Sequence, residues 1–191
     1  MNARTCKTVN MIQRGFTLIE LLIVVIILAI LAAILIPQFS SSTVDAQEAA
    51  LDANLNGLRS AIELYKAQHS GNYPGAVITA AVCTGGTKGL GTAGTDVLFK
   101  EQLTMYTDIR GGTCDRSVVS DTPPTTLGPY VRKGMPAEPI NNIATVLVTS
   151  TGAPIVAAGT AGGWAYDTVS GQIIMNSTAL DSKKVVAYST H

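Results

Sequence analysis

Residues 16–36 read FTLIELLIVVIILAILAAILI, an apolar run whose one charge is Glu20. As a helix rising about 1.5 Å per residue it would be about 31 Å long, close to the hydrocarbon thickness of a bilayer. From Leu21 to Ile36 it is unbroken, thirteen Leu, Ile or Val and three Ala. On an insertion scale those thirteen contribute together about −6 kcal/mol, and a carboxylate is tolerated better near one end than at the centre. The sequence therefore predicts a membrane-spanning helix with Glu20 close to its start. The 47% apolar and 14% charged composition reflects this run, and 191 residues leave room for one further domain.

The flanks set direction. Arg4, Lys7 and Arg14 precede the run with no acid among them. Such a basic flank reads as cytoplasmic, with the following chain exported. An ordinary secretory signal has a shorter apolar core and a small-residue cleavage site behind it. Here Gln13-Arg14-Gly15-Phe16-Thr17-Leu18-Ile19-Glu20 resembles the class III signal of type IV pilins and of type II secretion pseudopilins. The resemblance runs on to Ile36-Pro37-Gln38-Phe39. It implies that a membrane prepilin peptidase cuts after Gly15, methylates the new amino terminus at Phe16 and leaves the apolar run in the product. It also implies an inner-membrane assembly platform with its ATPase, and polymerisation with copies of itself or related pilins. The architecture implied is α+β, a long amino-terminal helix on a small antiparallel sheet.

Without residues 1–15 the chain keeps 10 basic and 13 acidic residues, a net charge of about −3. That argues against a broad nucleic-acid surface. Cys6 lies in the leader, so Cys83 and Cys114 remain, an even pair in an oxidising compartment. A bond between them is predicted, stabilising by about 3–4 kcal/mol in the chain-entropy model; two buried free thiols are the alternative. Zinc is disfavoured, because no CxxC occurs and the histidines are His69 and His191.

Beyond Pro37, where a kink is expected, helical pattern resumes. Val44, Leu51, Leu58 and Tyr65 recur every seven residues, with Leu55 and Ile62 between them. Asp45, Glu48, Asp52, Arg59, Glu63 and Lys66 take the other faces. His69-Ser70-Gly71-Asn72-Tyr73-Pro74-Gly75 stops the pattern. One helix over about 17–69 is predicted, two separate helices being the plainer alternative. The domain reading is a leader at 1–15, a membrane or filament-core helix at 16–37, an amphipathic half at 38–75 and an exported domain at 76–191.

Val77 to Cys83 reads as a short strand. A glycine-rich stretch follows, formally G-x-G-x-x-G at Gly89, Gly91 and Gly94, ahead of a helix starting at Thr95 or Asp96 and carrying Val97, Phe99, Leu103 and Tyr106. A dinucleotide site needs that turn tight between strand and helix. Several loop residues intervene here, so the stretch reads as a surface connection and no cofactor is expected. Leu127 to Pro139 holds three prolines in eleven residues, which excludes regular structure; it resembles a segment crossing one domain face in pseudopilins and in pilin-like proteins. Residues 143–149 read as a strand. Residues 163–167 and 172–175 flank Thr168-Val169-Ser170-Gly171 as a hairpin. Residues 184–188 read as an edge strand, and the stripe at 44–65 is the cover for this sheet.

Glu20 is the residue with a mechanism. A carboxylate in a first turn is favoured by the helix dipole, a purely structural role. The functional alternative is a charge pair between Glu20 and the Phe16 amine of a neighbouring subunit, which would favour assembly and set register; the resemblance implies the same. No nucleophile–base pair or metal spacing stands out, so no enzyme is expected. Asp167, in a carboxyl-terminal turn, is a weak calcium candidate. The reading is a filament subunit: a type IV pilin, alternatively a type II secretion pseudopilin, and more distantly a filament-displayed adhesin. It would be a single-pass inner-membrane precursor, then an extracellular or periplasmic filament.

Overall fold

The computed structural model describes residues 16–79, 82–159, 162–183 and 185–191, with the side chains of 35–41 outside the described set. The element order is helix α1 (Leu18–Gln68), helix α2 (Asp96–Thr104), strands β1 (Tyr106–Thr107), β2 (Thr113–Cys114), β3 (Val146–Thr149), β4 (Trp164–Asp167) and β5 (Ile173–Met175), then a 3-10 turn at Tyr188–Thr190. The arrangement is α+β, and α1 is assigned as a single helix of 51 residues. The chain divides into two compact units at Ser42/Thr43. The expected kink at Pro37 falls among the side chains outside the described set.

In the unit after Thr43 the heptad stripe makes the core. Leu51, Leu55, Leu58, Ala61, Ile62 and Tyr65 are buried in one cluster with Phe99, Leu103, Val146, Trp164, Tyr166, Ile173, Met175 and Tyr188. Positions 51, 55, 58, 62 and 65 share a helix face, and burying apolar area is what holds that face to the sheet. The helix stops where Ser70 (φ 56°) and Gly71 (φ 86°) turn left-handed, and the Gly71 N–H donates to the Lys66 carbonyl at 3.0 Å.

The main sheet has order β3-β4-β5. β4 and β5 form the predicted antiparallel hairpin, Trp164 opposite Met175. β3, however, runs parallel to β4, Val146 beside Trp164. The sheet is therefore mixed, which corrects the expectation of antiparallel strands throughout. Residues 150–163 supply the length: parallel neighbours need a crossover of about a dozen residues, whereas a hairpin needs two to five. All four residues of β4 are buried, as befits a central strand.

Three smaller expectations are also corrected. Residues 77–79 and 82–83 form no strand; the Val77 carbonyl accepts from Gln102 Nε2 (2.9 Å) instead of a neighbouring strand. Tyr106 is not on the second helix, which ends at Thr104, but pairs with Cys114 in β1–β2. The 184–188 strand gives way to a bridge between Leu180 and Ala187 and the 3-10 turn, because Asp181 accepts the Val185 N–H (2.9 Å) and curls the chain; Lys184 lies outside the described residues.

Polar side chains fasten the loops. Gln102, fully buried, accepts from the Gly75 N–H (2.6 Å) and donates to the carbonyls of Val77 and Gly111 (2.9 and 2.7 Å). The proline-rich stretch has no regular structure. It is held by Trp164 Nε1 donating to the Pro136 carbonyl (2.8 Å) and by buried Glu138, which accepts from the N–H groups of Ile140 and Asn141. Cys83 and Cys114 are joined by a disulfide across 31 residues, as the cysteine parity predicts.

Candidate functional site

The candidate site is the start of α1. Thr17 is its N-cap and Glu20 the third helical residue, an S/T-x-x-E capping box. The Thr17 N–H and Oγ1 both donate to Glu20 Oε2, at 2.9 and 2.8 Å, and the Glu20 N–H donates back to Thr17 Oγ1 at 3.3 Å. The carboxylate is thus held at the mouth of the helix, on the side of the amino terminus. Thr17 is part of the motif quoted above, but its capping role was not assigned there, although its spacing to Glu20 is the standard signal for such a box.

From Leu18 to Ile34 the large apolar side chains are 48–88% exposed on every face. A helix apolar all round belongs in a bilayer or in the core of a larger assembly. Among the described residues no helix is both long and apolar enough to cross a membrane. The described apolar stretch ends at Ile34, and the spanning expectation also needs Leu35 and Ile36, whose side chains lie outside the described set. Gly15 and the proposed cleavage side of the Gly15–Phe16 bond also lie outside it, as does the side chain of Pro37. Phe16 is described and is exposed.

Elsewhere the candidate chemistry resolves into structure. In the glycine-rich loop the Leu90 and Gly91 N–H groups donate to the two carboxylate oxygens of Glu101, at 2.9 and 3.0 Å. A Cβ at Gly91 would collide with the backbone of Leu98, so close packing accounts for that glycine. Glu101 could not be singled out in the sequence, since nothing local marks its reach across ten residues.

Asp167 is fully buried and accepts from four backbone N–H groups, those of Thr151, Gly152, Val169 and Ser170, and from the hydroxyls of Thr149 and Thr151. Burial alone would push its carboxyl up. The N–H groups of Ser170, Gly152, Thr151 and Val169 outweigh that and hold it well below the usual carboxylate range. Calcium needs a shell of oxygen ligands, and the N–H dipoles surrounding Asp167 present the wrong sign. In this arrangement the Asp167 carboxylate pins a loop.

Cys83, Cys114 and Asp115 lie close enough to share an ion, but the two sulfurs are spent in the disulfide and offer no thiolate. His69 is buried and stacked on Tyr65, ring centroids 3.7 Å apart. Its Nδ1 donates to the Tyr65 carbonyl (2.8 Å) and its Nε2 accepts from Thr107 Oγ1 (3.0 Å) in the neutral tautomer that fits both. His191 Nδ1 pairs with Asp52 at 2.9 Å. Both histidines are engaged in packing.

A family model matches the same segment. Residues 10–36 match the prokaryotic N-terminal methylation motif. The chain is 41% identical over 75 residues to a fimbrial protein of Neisseria meningitidis serogroup B, covering 39% of this chain and 44% of that one. It is 45% identical over 58 residues to the type IV narrow pilus major component PilA5 of Thermus thermophilus, 30% of this chain and 50% of that one. It is 41% identical over 54 residues to the type II secretion system core protein G of Pseudomonas aeruginosa, 28% of this chain and 38% of that one. The chain spans half or less of the length of these relatives. No solved structure matches. The chain carries the prokaryotic N-terminal methylation motif at residues 10–36, and part of it is similar to type IV pilins and to type II secretion core protein G.

Proposed function

We propose that the chain is the precursor of a structural, non-enzymatic filament subunit, cut after Gly15, methylated at Phe16 and assembled through α1. The observation that carries this is a helix apolar on every face, opened by a capped carboxylate, inside a matched methylation motif. Before assembly the apolar run anchors the chain in the inner membrane with residues 1–15 cytoplasmic. Cleavage of the Gly15–Phe16 bond frees a cationic amine beside that run. Glu20 of a neighbouring copy is the counter-charge, and an unpaired charge in lipid is costly enough to favour the pair. Thr17 is a positioning residue: it occupies one side of the Glu20 carboxylate, which retains capacity for an ammonium donor. A repeated head-to-tail contact of this kind builds an open helical filament.

A type IV pilus is the first reading, supported by the fimbrial relatives. A type II secretion pseudopilus is the second, favoured by the similarity to core protein G and by the proline-rich stretch held against Trp164. Mass spectrometry of the mature chain is expected to begin at N-methyl-Phe16. A mature protein that keeps Met1, or begins elsewhere with no methyl group, would refute the processing. Sheared surface filaments containing this chain as their main component separate pilus from pseudopilus.

A further inference from the structure

The disulfide joins a turn to a strand, and both are also held by bonds that do not involve sulfur. Cys114, in β2, pairs with Tyr106 of β1 and bridges to Lys88. Asp115 and Thr87 bond in both directions: the Asp115 N–H donates to the Thr87 carbonyl and the Thr87 N–H to Asp115 Oδ1, each at 3.0 Å. Cys83 opens a turn that the Gly86 N–H closes on its carbonyl (3.3 Å). The next residue, Thr84, donates through its N–H and its hydroxyl to buried Asp121. Opening the S–S bond removes none of these contacts, and they keep the two sulfur-bearing residues together.

A third donor sits with them. Asp115 Oδ1 is 3.9 Å from Cys114 Sγ, and the two sulfurs and the carboxylate oxygen all lie within 4.8 Å of one another. Around a tetrahedral zinc, a sulfur and an oxygen ligand stand about 3.6 Å apart and two sulfurs about 3.8 Å, separations that rotation about the Cα–Cβ bonds reaches. Glycine keeps one side clear of side chain: a Cβ at Gly86 would strike Asp115 Oδ1 and Cys83 Sγ. Asp115 is exposed and Cys83 half-buried, so the group is open to solvent. The charges also close. Two thiolates and a carboxylate exceed a divalent ion by one negative charge, and Arg116, whose Nε is 3.6 Å from Asp115 Oδ1, supplies the positive one. We propose that Cys83, Cys114 and Asp115 form a redox-gated site for a thiophilic divalent cation of the zinc class, with water as the fourth ligand. A dithiol reductant opens it. The dithiol's two sulfurs join, its two hydrogens pass to Cys83 and Cys114, and the cation then displaces both to solvent as protons. The oxidised pair binds no cation, so disulfide and metal exclude each other. The ligands are 31 residues apart in sequence, which is why no local spacing marks them. The site stands independently of the filament reading.

The test uses the full chain in detergent, carrying Cys6→Ser so that the two bonded cysteines are its only thiols. It is reduced with dithiothreitol, desalted without oxygen and titrated with cadmium, whose bonds to thiolate absorb in the ultraviolet. One cadmium per chain is expected, with no such band from the unreduced chain. Bound metal is expected to raise the melting temperature of the reduced chain, and zinc to compete for the same site. Asp115→Ala is expected to weaken binding at least tenfold while the band persists, and Cys83→Ser to lose one-to-one binding. Half an equivalent per chain, an Asp115→Ala affinity equal to that of the parent, or an affinity unchanged in concentrated urea overturns the proposal, because each describes two thiols rather than a built site. If reduction alone abolishes the cooperative melt, cadmium is expected to restore it, and its failure to do so overturns the site.

Discussion

A single buried side chain can make stability depend on pH, and His69 is one. Burial pushes its pKa down, against the opposing pull of the Tyr65 and Asp108 backbone bonds and the Asp108 charge. A histidine whose folded pKa is depressed takes up protons more readily unfolded. Its contribution is therefore complete above the unfolded value of about 6.5 and declines as pH falls below it. Thermal melts between pH 8 and 5 are expected to show this loss, and His69→Gln to flatten that part of the profile. A wild-type profile equal to that of His69→Gln would remove the effect. Asp167 runs the same way further down, being held ionised by N–H donors and losing its contribution only below the ordinary carboxylate range. Asp167→Ala strands those donors in a buried site and is expected to cost about 3 kcal/mol or more in urea melts.

At the scale of elements, α1 is the most legible part of the molecule. Burial selects a helix face at fixed period, so Leu51, Leu55, Leu58, Ile62 and Tyr65 announce the core before any strand is known. The start of α2 was legible for a like reason: Thr95 caps it by accepting the Leu98 N–H at 3.3 Å. The hairpin β4–β5 rests on local turn chemistry, with Gly171 at φ 72°. What stayed hidden depends on partners distant in sequence. The parallel pairing of β3 is a choice between neighbours that period-two alternation cannot express. Gln102, Glu101 and Glu138 act through reach, and nothing beside them in the chain marks it. The β1–β2 hairpin was missed although Asp108, which accepts from the Arg110 and Gly112 N–H groups, and Gly111 at φ 84° are ordinary turn residues. Two consequences follow at this scale. Leu58→Ala is expected to cost about 2–5 kcal/mol of unfolding free energy, since it removes a buried side chain from the core cluster. Reducing Cys83–Cys114 is expected to cost about 3–4 kcal/mol and lower the melting temperature; an unchanged melt after verified reduction would contradict that.

For the whole molecule the question is where α1 spends its apolar surface. The capping box was present in the sequence as Thr17 and Glu20 and gives the carboxylate a local role. That role is compatible with the proposed pairing to a neighbour's amine, because it orients the same group. Glu20→Ala is expected to leave membrane insertion intact in alkaline extraction while filament yield drops at least tenfold. Normal filaments from that variant would leave Glu20 as a cap alone. Thr17→Ala is expected to fall between the two.

The crossover between β3 and β4 has a use of its own. Its fourteen residues are tied down near their start by Asp167, at Ile155 by Gln172 and at Ala158 by Asn176. Between the last two ties, Val156 points into solvent, 82% exposed. Such a span is a socket: its rim is fixed by hydrogen bonds, and the residue at its tip can be exchanged without disturbing them. A short peptide grafted at Val156 would be carried once per chain, turning any assembly of this protein into a regularly spaced display lattice that a single antibody could decorate.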